Sequence, residues 1–207
     1  GNVGVGTTTP TEKLSVVGDI TLNTNGTSAI FSTYEGASAN YGNNIWIGGG
    51  GQNTSGSSYN GSFNTSLGIN ALLDSTTGFA NSAVGEKALT AINAGYQNVA
   101  MGANALMAIT TGHENTALGY YALGSSTAGT SFNTAVGAFV LGFNTTGQYN
   151  TAVGSNSLFS NTTGTYNTAV GISALRNNTT GVNNTSVGGL SLIANTVGTS
   201  NTAFGHQ

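Results

Sequence analysis

Six carboxylates, two histidines and no cysteine are the groups from which this 207-residue chain would have to build reaction chemistry. Glu12, Asp19, Glu35, Asp74, Glu86 and Glu114 are scattered, and no two share a recurring place that would set a pair on one face for acid/base work. They read as solvated charges. His113 beside Glu114 would form a ring of metal-binding groups only where three chains meet, and one His per chain makes a poor zinc site. His206, close to the last residue, is assigned no role. No serine stands in a motif with a base, which a hydroxyl nucleophile needs. Neither Gly1-Asn-Val-Gly4 nor Gly48-Gly-Gly-Gly51 leads into the Gly-Lys-Ser/Thr of a phosphate loop, so both read as turns. Lack of cysteine removes disulfides, thiolate zinc sites, iron–sulfur sites and thiol nucleophiles together. The expectation is no enzyme, no metal and no cofactor.

Other residues gain meaning only by recurrence. Phe63, Phe132, Tyr149 and Tyr166 each stand just before a repeated Asn and would stack along one edge. Phe132, Tyr149 and Tyr166 do so in consecutive units, as a ladder that either supports the stack or contacts surface glycans. Asn144, Asn161 and Asn178 open Asn-Thr-Thr-Gly turns that match the N-glycosylation triplet.

The elements that must position these residues come from a repeat. The pattern Asn, small polar, small, large apolar, Gly begins at Asn64, Asn81, Asn98, Asn115, Asn133, Asn150, Asn167, Asn184 and again at Asn201, spaced by 17 residues seven times and 18 once. Its glycines are Gly68, Gly85, Gly102, Gly119, Gly137, Gly154, Gly171 and Gly188. A leucine sits eight residues after each Asn, at Leu72, Leu89, Leu106, Leu123, Leu141, Leu158, Leu175 and Leu192. A second glycine sits fourteen after it, at Gly78, Gly95, Gly112, Gly129, Gly147, Gly164, Gly181 and Gly198.

Two glycines per unit mark two corners that need positive φ or close approach. A unit of this length is too short for a helix pair. It fits one coil of an all-β, parallel β-solenoid (β-roll), and eight 17-residue coils rising by ~4.8 Å make a rod about 40 Å long. The segment Ser173-Ala-Leu-Arg176 admits a single helical turn as a local variant. The Asn residues are expected to form an amide ladder, and the scarcity of charge follows because identical stacked charges would repel. The 18-residue unit is expected to keep Gly129 in register and to place its additional residue in Thr130-Ser131-Phe132.

The leucine and the apolar residue before the first Gly read as interior. Strict alternation instead sends Thr and Val to one face and Ala to the other, which would bury part of the outer surface against another chain. Residues 1–60 do not repeat and read as an N-terminal cap or transition region, with residues 61–207 as the solenoid. Within the cap, Asn44-Ile-Trp-Ile-Gly48 resembles a degenerate first coil, Trp46 is the largest apolar group, and Gly49 to Ser58 is a connection by composition. The chain starts on Gly1 and stops seven residues into a ninth unit, which reads as a fragment of a longer protein or an end covered by another copy.

Composition narrows the partners. Only 4% of residues are charged, against about 25% in ordinary domains. Three basic residues and a net charge of −3 cannot neutralise a phosphate backbone, so no nucleic acid is expected. No apolar run reaches the ~18 residues of a span, so no membrane insertion is expected either.

The repeats as they stand, for example Asn150-Thr-Ala-Val-Gly-Ser-Asn-Ser-Leu-Phe-Ser-Asn-Thr-Thr-Gly-Thr-Tyr166, resemble those of large bacterial and phage proteins of the tail-fibre or adhesin type, many of which end in a self-cleaving chaperone. The opening Gly1-Asn-Val-Gly-Val-Gly-Thr-Thr-Thr-Pro-Thr-Glu-Lys-Leu-Ser-Val-Val-Gly-Asp-Ile20 resembles the segment that often precedes such repeats. The Asn-Thr-Ala-Val-Gly core is similar to head repeats of trimeric autotransporter adhesins, which are left-handed parallel β-rolls assembled as trimers. The resemblance implies a structural fibre segment of an extracellular appendage, on a cell surface or virion. Its partners would be its own copies, as a homotrimer, and surface glycans. Two alternatives are a subunit that polymerises end to end into a filament and an ice-binding solenoid. The latter rests on the in-register row Thr116, Thr134, Thr151, Thr168 and Thr185, although ice binders usually present two adjacent Thr columns.

Overall fold

The computed structural model describes residues 63–207 and, before them, the backbone of five strands. These are β1 (Val3–Val5), β2 (Leu14–Val16), β3 (Ile20–Thr24), β4 (Thr27–Thr33) and β5 (Ile45–Ile47). Each repeat then contributes one three-residue strand: β6 (Thr65–Leu67), β7 (Ser82–Val84), β8 (Val99–Met101), β9 (Thr116–Leu118), β10 (Thr134–Val136), β11 (Thr151–Val153), β12 (Thr168–Val170), β13 (Thr185–Val187) and β14 (Thr202–Phe204). Strands β6 to β14 pair in parallel with repeat positions in register, as Thr134 with Thr151 and Val136 with Val153. The repeats are the coils of a parallel β-solenoid. Strand β5 joins it in parallel with β6, so the Ile-Trp-Ile segment does add to the sheet, and β3 and β4 extend it as an antiparallel hairpin. The connection from Gly49 to Ser58 and the side chain of Trp46 lie outside the described residues.

Backbone hydrogen bonds between coils run well beyond the strands. Leu158 N–H donates to Ala174 C=O and Ser160 N–H to Arg176 C=O, 17 residues apart in each case. Such pairing satisfies the turn backbone that a short strand alone would leave bare.

The corners are made differently from the two-glycine expectation. The first glycine is left-handed, with φ from 113° to 140° between Gly68 and Gly205. The second is not, except at Gly129; it is required by close approach, since a Cβ on Gly78 would lie 2.7 Å from the Gly95 carbonyl oxygen of the next coil. Further bends fall on ordinary residues with positive φ. The second residue after the first glycine adopts it (Asn70, Lys87, Asn104, Asn156), as does the residue before each Asn. So does the leucine, with φ of 48° to 53° in all eight coils. Alternating left-handed residues, Ser173 (φ 57°) and Leu175 (φ 50°), forbid the helical turn at Ser173 to Arg176; no helix occurs among the described residues.

This conformation explains why the position is always Leu and never Ile or Val. A left-handed L-residue costs about 1–2 kcal/mol, and for a β-branched one it is a genuine outlier. Leu158→Ile, which conserves volume, is therefore expected to destabilise the solenoid by about 2 kcal/mol, well above an ordinary isosteric core exchange; equilibrium denaturation checks it.

The interior is narrow. The strand's central residue points inward, and Ala83, Ala100, Ala117, Ala135, Ala152 and Ala169 are all sealed, alongside the leucine column from Leu72 to Leu175 and the residue preceding each of those leucines, which is Ala, Ser or Val; Leu192 in the last complete coil is only partly covered. The apolar residue before the first glycine lies outside, correcting its interior reading: Leu67 is 44%, Met101 51% and Phe204 74% exposed. Bends at four points per coil tighten the cross-section, so behind the strand it holds Ala beside the Leu, and a second large apolar side chain enters only at the place eleven residues after the Asn, as Ile92 and Ile109.

The 18-residue coil also differs from expectation. Asn115 closes its coil on the Thr130 carbonyl, where its counterparts use the second glycine, and Gly112 faces the same Thr130 carbonyl. Thr130 therefore takes the stacked place and Gly129, with φ of 79° and nothing near its missing Cβ, is the residue bulged outward. A bulge just before the corner leaves the two ladders that follow it unbroken.

Candidate functional site

The recurring asparagines from Asn64 to Asn184 are wholly internal. Asn98 donates through both its backbone N–H and its Nδ2 to Asn81 Oδ1, at 3.0 Å each, and through Nδ2 to Gly112 C=O at 2.9 Å. The same trio recurs through Asn115, Asn133, Asn150, Asn167 and Asn184, and Asn64 Oδ1 accepts from Asn81 N–H. Each amide thus binds the coil beside it and also closes its own coil. Every donor and acceptor is engaged inside, so this column is a structural spine with no surface to offer.

A second amide column, fully buried at Asn144, Asn161 and Asn178 and partly covered at Asn195, is not evident from the sequence. Asn144, Asn161, Asn178 and Asn195 donate in series, at 2.8, 2.9 and 3.1 Å, and each also donates to the second glycine's carbonyl three residues on. In these coils that carbonyl receives two amides, as Gly164 does from Asn150 and Asn161. The three residues read as glycosylation triplets have no exposed surface at all, which overturns them as glycan carriers in the folded rod. The signal was present in the four-fold recurrence of Asn before Thr, at a place where earlier coils carry Ser75, Ile92, Ile109 and Ser126.

The titratable groups do not converge. Glu86 and Lys87 form an exposed 3.8 Å pair, worth little. Asp74 and Glu114 project elsewhere, and Glu12, Asp19 and Glu35 lie outside the described residues. His113 Nδ1 is 2.8 Å from Ser131 Oγ, and its ring stacks on Tyr96 at 4.7 Å. No group of three metal-ligating side chains occurs among the described residues.

The surface carries two organised features. One is the sheet face, where the Thr column (Thr116, Thr134, Thr151, Thr168, Thr185, Thr202) and the apolar column (Leu118, Val136, Val153, Val170, Val187, Phe204) run side by side, both outward, flanking the buried Ala. None of these Thr hydroxyls is engaged by a described side chain or carbonyl, in contrast to Thr145, Thr162 and Thr179, which donate to the next coil's backbone.

The other feature is aromatic. Phe132, Tyr149 and Tyr166 stack at 4.8 Å with planes 4° and 0° apart, and Phe79, Tyr96 and His113 form a stack in the adjoining column, joined to it edgewise through His113 and Phe132. Phe63 stands apart, separated by Ala80, Gln97 and Glu114. Face-to-face stacking hides the ring faces that a sugar would need, leaving Tyr166 as the end ring of the stack. A separate cluster, also missed in the sequence, sits on the turns of the fourth to seventh coils. There Tyr120, Phe139, Phe143 and Phe159 meet edge to face, and Arg176 lies 5.5 Å from the Phe159 ring centroid.

Compared with known proteins, the chain matches no protein-family model, no curated protein and no solved structure.

Proposed function

We propose that this solenoid is a structural segment of an extracellular fibre of the tail-fibre or adhesin type, built from three copies and serving attachment to a surface. The observation that carries the reading is the outward Val column beside the Thr column. Single exposed apolar residues are ordinary, but a continuous stripe about 40 Å long is the kind of patch that marks an interface. Three rods laid side by side bury that stripe against its own copies, and the Thr hydroxyls at its border remain free to bond across the junction. Neutral polar surfaces elsewhere suit a shaft that must stay soluble without repelling itself along its axis.

Native mass by light scattering tests this. A trimer is expected for the parent chain, and Val153→Lys, whose side chain lies outside the coil, is expected to give a monomer with an unchanged far-ultraviolet spectrum. A parent chain that is monomeric at every concentration overturns the assembly, and filaments lengthening with concentration replace it with end-to-end polymerisation. One observation favours a second reading: Thr and Val occupy one face, so an exposed monomer would present a regular array of hydroxyls and methyls to ice. Thermal hysteresis in a monomeric sample would establish it.

A further inference from the structure

We infer that the aromatic cluster around Arg176 binds a linear uronate oligosaccharide, with a carboxylate taken by the guanidinium and pyranose rings laid along the aromatic row. The inference rests on the attachment part of the proposed function and is independent of trimer assembly.

Charge makes the first argument. From Asn115 to Gln207 the sequence holds no Asp, Glu or Lys, and Arg176 is its one Arg. No described side chain pairs with or accepts a hydrogen bond from its guanidinium, which lies 5.5 Å from the centroid of the Phe159 ring. An unopposed guanidinium held by an aromatic ring keeps its fork of donors free for a carboxylate, which it takes bidentately.

Ring geometry makes the second. Phe143 meets Phe159 at 4.8 Å and 68°, and Tyr120 meets Phe139 at 5.1 Å and 81°, so faces here stay open, unlike those of the parallel Tyr149 and Tyr166 pair. Tyr120 and Phe143 are each 49% exposed. The backbone makes room for the cluster: a Cβ on Gly142 would lie 3.1 Å from the Phe159 ring, and one on Gly124 would lie 2.7 Å from the Tyr121 ring. These two glycines belong to neither recurring glycine column. Open aromatic faces take the axial C–H surface of a sugar, and the adjacent cation selects an acidic one. The row crosses three coil steps, about 14 Å, parallel to the rod axis, and ends at Arg176. A straight chain of pyranoses with ring-borne carboxylates fits that line.

Calorimetric titration with trigalacturonate, its methyl ester and maltotriose provides the test. The parent protein is expected to bind trigalacturonate, with the ester and the neutral trimer about tenfold weaker or more. Arg176→Gln is expected to lose the acid preference and Arg176→Lys to keep part of it. Phe143→Ala, at an exposed site, is expected to weaken acid and ester alike. Absence of trigalacturonate binding, equal binding of acid and ester, or undiminished binding by Arg176→Gln overturns the site. A Phe143→Ala variant whose native mass changes also overturns it, because the patch would then be covered by another copy. A trimer that ignores trigalacturonate removes only the site, whereas a monomer that binds it removes only the assembly.

Discussion

Gly154→Ala is expected to destabilise the solenoid by about 4 kcal/mol, lowering the melting temperature by roughly 10 °C. Two costs coincide there. The backbone sits at φ of 113°, which L side chains rarely adopt, and a Cβ would lie 2.7 Å from both C and O of Gly171. Those are main-chain atoms of the next coil, held in turn by the Gly171 N–H bond to Val153 C=O at 2.8 Å, so they cannot step aside without breaking the ladder. Gly129 separates the two costs, because its φ of 79° is left-handed but nothing lies within 4 Å of the added carbon. Gly129→Ala is therefore expected to cost only about 1 kcal/mol, the conformational part. Thermal and urea unfolding of the two variants check the difference. Equal losses would mean that coil stacking contributes nothing at the first glycine.

The same comparison shows what the sequence could and could not convey. Period, coil length and the Asn spine were legible because identical residues stack on identical residues, so any column that must meet one demand eight times reveals itself by recurring. Direction was harder. Val and Ala alternate in a three-residue strand, and hydrophobicity alone favours Val inside; the decision falls to coil width, which depends on left-handed leucines that look like ordinary core residues in a string of letters. Gly129 misled for a related reason. A glycine at the expected spacing reads as the stacked one, whereas the stack needs a carbonyl in line with its neighbours, and Thr130 supplies it. The Arg176 cluster was invisible to a search for recurrence because Tyr120, Phe139, Phe143 and Phe159 occupy different places in their coils, brought together only by the 17-residue offset.

The two amide columns make a second large effect, and one that should depend on where the spine is cut. Asn81→Ala removes the partner of Gly95 C=O, at 2.9 Å, and the acceptor of both Asn98 N–H and Asn98 Nδ2, at 3.0 Å each. Three buried polar groups lose a partner in a coil whose interior offers no substitute, since Ile92 fills the place of the second amide. Each such group costs about 1–3 kcal/mol, and about 4 kcal/mol is expected in total. Asn150→Ala strands only two donors, those of Asn167, because Gly164 C=O keeps its 3.0 Å bond from Asn161. Its cost is expected to be smaller by about 1 kcal/mol. Adding Asn161→Ala to Asn150→Ala should then strip Gly164 of both amides and cost more than the sum of the single changes, since either amide alone still serves that carbonyl. A double-mutant cycle by urea denaturation measures that excess. Strict additivity would show that the Gly164 carbonyl does not couple the columns, and that the Asn-Thr-Thr-Gly coils gain no cross-brace over the Ile-bearing ones.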